Sequence, residues 1–190
     1  MTSMLISPEL EKLGVVKQLG CGHEGCVYTT TRDTVIKVAH GYNWRELATA
    51  QRLQTLAGKH KIIPRIFATG EVHETLTGMH TWVEREPLND LQLTAEGEAE
   101  FSSDAGRLLD NAGGDLTELR FSKYTPARDK KLLSQLLIGF LWLKKRGIEC
   151  NDHSAGDQWG LRADGAVVLR DLGHIFIIDE TFDEFFPRES

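Results

Sequence analysis

Three glycines in the stretch LGCGHEGCVY, residues 19–28, have the G-x-G-x-x-G spacing of loops that hold phosphate groups. They are Gly20, Gly22 and Gly25, and Val27 follows two positions after the last of them. Glycine allows the backbone to approach a ligand closely, so that main-chain N–H groups can bind phosphate oxygens. This spacing occurs in more than one class of nucleotide-binding fold. The classes are distinguished by the secondary structure predicted on each side of the loop.

The segments on both sides of the loop have the composition of β-strands. GVVKQLG precedes the loop, CVYTTT follows it, and DTVIKVA comes after the turn residues Arg32 and Asp33. These runs are rich in β-branched residues and predict three short antiparallel strands. A dinucleotide fingerprint requires the last glycine to open a helix. Here the last glycine opens another strand, which argues against that fingerprint.

A helix and two further strands are predicted next. The run NWRELATAQRLQTLAGKH reads as one helix that Asn43 can cap and Gly58 can end. Within it Glu46 shares a face with Ala50 and Leu53, so we expect its side chain to point towards the sheet. PRIFATGEV and MHTWVERE then read as strands.

The second half of the chain is mainly helical in pattern. A helix is predicted over residues 95–110, followed by a glycine break. Thr125 and Pro126 have the types expected at an N-cap and a first helical position, and the apolar helix they open runs through Lys145. QWGL and AVVL then predict a hairpin that turns at ADG.

Composition restricts the classes of protein to consider. The chain has 190 residues, 41% of them hydrophobic, and a net charge of −6, which argues against general nucleic-acid binding. It contains no apolar run of membrane-spanning length and no pattern of a signal peptide. No membrane partner is therefore expected. Its three cysteines are too few for a disulfide framework, so a reducing cytoplasm is expected.

The order of elements and motifs resembles the protein-kinase fold. The resemblance implies an α+β, two-lobed architecture, with a small antiparallel sheet lobe that carries one helix and a truncated, mainly helical C-lobe. The N-lobe would span 1–87, with the hinge at its end, and the C-lobe 88–190. The implied cofactors are ATP and Mg²⁺, with ATP bound by the three glycines and Val27.

The resemblance assigns further roles in the first half of the chain. Lys37 in VIKV stands where kinases carry the lysine that contacts the α- and β-phosphates, and Glu46 would hold it as an ion-pair partner. The alternatives are a surface lysine and a first-turn glutamate favoured by the helix dipole. The hinge would recognise adenine through backbone groups of Glu84 to Glu86, while Trp82 is either core or pocket lining.

The second half carries the implied catalytic and metal-binding carboxylates. Asp152 in CND looks like the catalytic aspartate that orients the acceptor hydroxyl, and Asp171 in DLG looks like a Mg²⁺ ligand. Where a second metal-binding asparagine is expected, the chain offers Asp157 or Gln158. Either side chain has an oxygen suited to Mg²⁺.

The resemblance to kinases is strongest for minimal enzymes. Few residues follow Gly173, so the expectation is a phage-encoded or bacterial-effector type of kinase without a peptide-binding platform. A phage enzyme would act in the host cytoplasm on a host protein, and a partner could complete the short C-lobe.

Three functions and one metal site remain open from the sequence. The first function is phosphoryl transfer from ATP to Ser or Thr of a protein. The second is a pseudokinase that binds a nucleotide or a partner without transfer, and the third is a small-molecule phosphotransferase. The alternative metal site is zinc bound by Cys21, His23 and Cys26, with Cys150 as a fourth ligand.

Overall fold

The computed structural model shows a mixed α+β protein. It describes residues 6–74, 77–101, 120–150, 158–173 and 175–177. The chain divides into two compact units, and each is described by itself. The first comprises Met1–Ala57 and Ile63–Pro87, and the second comprises Gly58–Ile62 and Leu88–Ser190. None of the helices in these described ranges has the length and apolar character needed to cross a lipid bilayer.

The first unit is built on a five-stranded antiparallel sheet. Its elements are α1 (Pro8–Lys12), β1 (Val15–Cys21), β2 (Gly25–Thr30), β3 (Val35–Ala39), α2 (Trp44–Thr55), β4 (Ile66–Glu74) and β5 (Gly78–Arg85). The strand order is β1-β2-β3-β5-β4, and every neighbouring pair is antiparallel. The strands predicted from the sequence are therefore confirmed. The short helix α1 was not predicted, because its five residues are too few to show a periodic pattern.

Alternation along β3 assigns its side chains to two faces of the sheet. Ile36 and Val38 belong to a buried cluster with Leu10 of α1 and Val15 of β1, and Trp82 packs against that cluster. Lys37 lies between them in sequence and therefore points to the opposite face. The open question about Trp82 is answered by this packing, which makes it part of the core on the face away from Lys37.

Helix α2 begins where the sequence indicated. The Asn43 side chain accepts a hydrogen bond from the backbone N–H of Glu46 at 3.2 Å, which is an N-cap contact. The Asn43 backbone N–H donates to Thr81 Oγ1 at 3.3 Å, so the start of the helix is attached to β5. The helix buries Glu46, Ala50 and Leu53 on one face, as their spacing predicted.

The second unit contains shorter strands and one long helix. Its elements are β6 (Asn89–Asp90), α3 (95–101 in its described part), α4 (Ala127–Lys144), β7 (Ile148–Cys150), β8 (Trp159–Leu161), β9 (Val167–Leu169) and β10 (Ile175–Ile177). The strands form a three-stranded sheet in the order β6-β8-β9 and a pair of β10 with β7. The rest of the predicted helix over 95–110 lies outside the described residues.

The start of α4 differs from the sequence prediction by one position. Pro126 occupies the N-cap position and makes no side-chain cap hydrogen bond, and the helix begins at Ala127. Thr125 was expected to cap the helix, but its hydroxyl is hydrogen-bonded to the buried carboxylate of Glu100 instead. The helix buries Leu132, Leu133, Leu136, Leu137 and Phe140, as their periodicity predicted. Leu141 was expected in the same stripes but is only partly buried, and Leu143 is buried instead.

Candidate functional site

The glycine-rich loop is the tip of the hairpin formed by β1 and β2. Cys21 and Cys26 face each other at the end of the strand pair and are joined by a disulfide. The Gly22 N–H donates to the Gly25 carbonyl at 2.9 Å, which closes the tip. The His40 N–H donates to the Glu24 carbonyl at 2.8 Å, which attaches the tip to the residue after β3.

The disulfide overturns the expectation that these cysteines are thiols or zinc ligands. Residues that face each other in an antiparallel strand pair have their Cβ atoms close enough for two cysteine sulfurs to form a bond. Both sulfurs are covalently bonded to each other and are not available to zinc, and the described residues contain no group of three metal-binding side chains. The signal was in the sequence, since the cysteines flank the loop of a predicted hairpin.

The three glycines differ in whether the surrounding protein leaves space for a side chain. A Cβ at Gly25 would lie 2.3 Å from the Val38 carbonyl oxygen, so the packing of β2 on β3 requires glycine there. A Cβ at Gly20 or at Gly22 would meet nothing within 4 Å. Packing within the protein therefore explains the third glycine and leaves the first two without a steric reason.

Lys37 lies at the centre of the sheet face below this loop. It is paired across the strands with Val27 on β2 and Val83 on β5. Its Nζ lies 3.0 Å from Oε1 of Glu46, and the two side chains are only 11% and 4% exposed. The second carboxylate oxygen of Glu46 accepts from Asn43 Nδ2 at 3.4 Å. The ion pair suggested by the sequence therefore forms, with the N-cap of α2 holding the glutamate.

A second carboxylate reaches Lys37 from the tip of the loop. Glu24 Oε2 lies 3.3 Å from Lys37 Nζ, and the Glu24 side chain is 31% exposed. Glu24 was not predicted as a site residue, although a glutamate between the second and third glycines was a visible signal. The ammonium group is thus held between one buried and one partly exposed carboxylate.

Glu84 and Glu86, whose backbone groups were predicted to form the hinge, stabilise the end of β5 through their side chains. Glu84 is buried and accepts two hydrogen bonds from the Arg32 guanidinium, at 3.0 and 2.7 Å, together with one from the Thr34 hydroxyl. Glu86 is also buried, and one of its carboxylate oxygens accepts the Arg65 N–H at 2.9 Å. The Glu86 N–H donates to the Arg65 carbonyl at 3.0 Å, so this backbone donor is engaged within the unit.

In the second unit the hairpin of β8 and β9 brings Gln158 and Asp171 together. Gln158 directly precedes β8 and Asp171 follows β9, and the Gln158 carbonyl accepts the N–H groups of Arg170 at 2.7 Å and Asp171 at 3.3 Å. Oδ1 of Asp171 accepts the Gly173 N–H at 3.0 Å, which fixes the turn of the DLG segment. Two residues predicted to bind metal are therefore neighbours.

Arg170 anchors the start of this turn. Its guanidinium donates to the Asn89 carbonyl at 2.6 Å and to the Asp90 carboxylate at 2.8 Å. Both acceptors belong to β6, which pairs with β8. The position of Asp171 is thus fixed by the hydrogen bonds of the Arg170 side chain and by the hydrogen bond from its own N–H to the Gln158 carbonyl.

Two predicted site residues lie outside the described part of the chain. They are Asp152, expected to orient the acceptor hydroxyl, and Asp157, expected as an alternative metal ligand. The described chain reaches Cys150, the last residue of β7, which is paired with Ile175 of β10. The CND motif begins at that residue.

No model of a known protein family matches this sequence, and no curated protein matches it.

Proposed function

We propose that this protein is an ATP-dependent kinase that transfers a phosphoryl group to Ser or Thr of a protein substrate. The observation that carries the proposal is the ion pair between Lys37 on the third strand and Glu46 on the helix that follows it. Protein kinases use a lysine in this position to bind the α- and β-phosphates, and a glutamate on the following helix to hold that lysine in place. A lysine buried against the sheet and held by a buried carboxylate is preorganised for an anion.

The glycine-rich loop supports the same proposal through its unexplained glycines. Gly25 is required by contact with β3, but nothing in the protein occupies the space beside Gly20 or Gly22. Side chains at those positions would not disturb the sheet. A ligand that approaches the backbone closely, as a phosphate group does in such loops, gives both glycines a physical role.

The chemistry of Gln158 and Asp171 fits Mg²⁺. The carboxylate of Asp171 and the amide of Gln158 supply oxygen donors, and the hairpin places the two residues next to each other. When bound, Mg²⁺ supplies positive charge that neutralises the phosphates during transfer. We assign Asp171 to the metal, with Gln158 as the second oxygen donor and Asp157 as the alternative.

Asp152 completes the proposed chemistry on the protein side. By its position in CND it would accept the proton of the substrate hydroxyl while that oxygen forms the new bond to phosphorus. The two-lobed kinase arrangement is part of the same proposal, with the sheet unit as N-lobe and the second unit as C-lobe. Catalysis would depend mainly on positioning and on neutralisation of charge.

The first experiment measures label transfer from γ-labelled ATP in a bacterial lysate with Mg²⁺. We expect label on a serine or threonine of the protein itself or of a lysate protein. Lys37→Met should reduce transfer by at least about a hundredfold, the scale of losing one preorganised electrostatic contact. The matched control is Lys17→Met, because Lys17 is an exposed lysine on β1. It should leave transfer unchanged.

Four further variants test the metal-binding assignment. Asp171→Ala should abolish transfer, and Gln158→Asn should preserve or raise it, because asparagine retains the amide oxygen. If Asp157→Ala abolishes transfer and Gln158→Ala does not, the second metal ligand is Asp157. Equal transfer by the Lys37→Met and Lys17→Met variants would contradict the proposal.

A second function, a nucleotide-binding or partner-binding module without transfer, is favoured by one observation. Lys37 is in contact with Glu24 as well as Glu46, so the group of three carries a net negative charge where phosphates would bind. Binding of MgATP that depends on Lys37, with no transfer to any protein or small molecule, would identify this function. Label on a small metabolite would instead identify a small-molecule phosphotransferase.

A further inference from the structure

The contact between Glu24 and Lys37 differs in kind from the contact between Glu46 and Lys37. Glu46 belongs to a helix, is almost completely buried and also accepts from Asn43. Glu24 lies at the tip of a loop, and about a third of its side chain is exposed. Glu24 is therefore the carboxylate that can leave Lys37 more easily. It is already partly exposed to solvent, and its movement does not disturb a helix.

The position of Glu24 is set by the loop backbone. The Glu24 carbonyl accepts the His40 N–H, and the Gly22 carbonyl lies 3.1 Å from His40 Nε2. The Cys21–Cys26 disulfide closes a small ring that contains Gly22, Glu24 and Gly25. A closed ring of this size has few backbone conformations, so the disulfide limits how far Glu24 can move from Lys37.

We propose that Glu24 is a latch on the nucleotide site: its carboxylate takes the place of a nucleotide phosphate on Lys37, and the Cys21–Cys26 disulfide holds it there. This inference rests on the proposed function, since the ligand it excludes is the phosphate group of a nucleotide. It also accounts for the second carboxylate, which a working phosphate site would otherwise not contain. The exchange replaces one anion on the lysine by another.

The latch is opened by thiol–disulfide exchange. A dithiol reductant attacks one sulfur, the Cys21–Cys26 bond breaks, and the second thiol of the reductant then closes its own disulfide. Two electrons and two protons pass to the protein, which is left with two thiols. The loop then regains the conformations that the ring excluded, and Glu24 can leave Lys37.

The first test measures access to Lys37 without any nucleotide. The rate of Lys37 acetylation by acetic anhydride is followed by peptide mass spectrometry, with the exposed Lys17 as internal reference. We expect about a fivefold increase, relative to Lys17, in Glu24→Gln and in the reduced wild-type protein, the size expected for loss of a partly exposed ion pair. The neighbouring variant His23→Gln is the matched control and should show no increase.

The second test measures MgATP affinity by calorimetry in oxidised and reduced protein. Reduced wild type, Glu24→Gln and Cys21→Ser/Cys26→Ser should each bind about fivefold more tightly than the oxidised wild type. Reduction should have no effect on the double serine variant. This control shows whether the reductant changes affinity through groups other than the disulfide. The same variant also replaces the reduced wild type as the disulfide-free form if the wild type reoxidises during the titration.

The possible outcomes separate the two proposals. If all forms bind MgATP equally and Lys37 acetylation is unchanged, the proposed function survives and the latch is wrong. If Glu24→Gln has both effects but reduction has neither, Glu24 opposes the nucleotide and the role of the disulfide is overturned. If no form binds MgATP, even when Lys37 acetylation rises, the proposed function fails and Glu24 is not a latch on a nucleotide site.

Discussion

Burial determines how much each carboxylate beside Lys37 contributes to stability. A buried charge that loses its partner is costly, because its desolvation is no longer offset by an ion pair. Glu46 is such a partner, whereas Glu24 is exposed enough for water and salt to screen its charge. The two ion pairs have similar distances and should still have very different energies.

Substitution of Glu46 should therefore destabilise the protein more than substitution of Glu24. We expect Glu46→Gln to lower the free energy of unfolding by about 1.5–3 kcal/mol, the range for hydrogen bonds to charged groups. Glu24→Gln should change it by less than about 1 kcal/mol. Urea unfolding of both variants in wild-type and Lys37→Met backgrounds measures the coupling. An equal cost of Glu46→Gln in the two backgrounds would show that the pair contributes nothing.

His60 provides a pH-dependent contribution to stability. Its ring stacks on Trp142 with centroids 5.0 Å apart, and Nδ1 lies 3.2 Å from the backbone N of Ile62, which donates to it. Burial, together with the nearby positive charge of Arg146, lowers the pKa of His60 below its usual value. Its neutral form is therefore favoured in the folded protein.

The sign of the effect follows from this lowered pKa. As the pH falls through about 6.5, the unfolded chain takes up a proton at His60 before the folded chain does. Stability from this group is complete above that pH and decreases as the pH falls towards the folded-state pKa. The slope of unfolding free energy against pH between about 7 and 5 should be smaller in His60→Gln. An unchanged slope would assign the pH dependence to other groups.

At the scale of elements, the glycine-rich hairpin contains one glycine that the fold requires and two glycines whose role depends on the proposed nucleotide. Gly25→Ala should destabilise the protein by about 1–3 kcal/mol, because its Cβ would overlap the backbone of β3. Gly20→Ala and Gly22→Ala should leave the unfolding free energy within about 1 kcal/mol of wild type. Both should nevertheless weaken MgATP binding, as measured by calorimetry. Normal MgATP binding by both variants would show that the glycine-rich loop does not bind the phosphates.

The elements themselves were predictable where local pattern determines structure. The β-branched runs, the Asn43 cap and the apolar stripes of α4 each specify their element from neighbouring residues alone. The failures involve contacts distant in sequence. Thr125 has the right type for an N-cap, but Glu100 binds its hydroxyl, and only tertiary structure brings these two residues together.

The candidate site shows the same division between local and distant contacts. The Lys37 and Glu46 pair was predictable because a strand residue and a helix residue must face each other when the helix packs on the sheet. Glu24 was not predicted, because its contact with Lys37 depends on the conformation of the loop tip. Glu84 was considered for its backbone, whereas its buried side chain accepts hydrogen bonds from the exposed Arg32 and from Thr34.

At the scale of the whole molecule, the disulfide should stabilise the fold less than a disulfide that closes a longer loop. It joins residues only five positions apart, and so small a ring restricts the unfolded chain little. We expect Cys21→Ser/Cys26→Ser to lower the free energy of unfolding by about 2 kcal/mol and to remain folded at room temperature. Urea titration followed by circular dichroism measures this change. A variant that is unfolded without urea would show that the fold depends on the bond.

The hairpin of β8 and β9 has a consequence for protein engineering. The distance between Gln158 and Asp171 is set by strand pairing at the open end of the hairpin, where the Gln158 carbonyl accepts the Asp171 N–H. The turn at the other end, residues 162–166, includes three exposed positions and does not determine that distance. A glycine and serine insert after Asp164 should therefore lengthen the turn at small entropic cost. This turn is a suitable position for a spectroscopic label or an affinity tag that must leave the DLG segment in place.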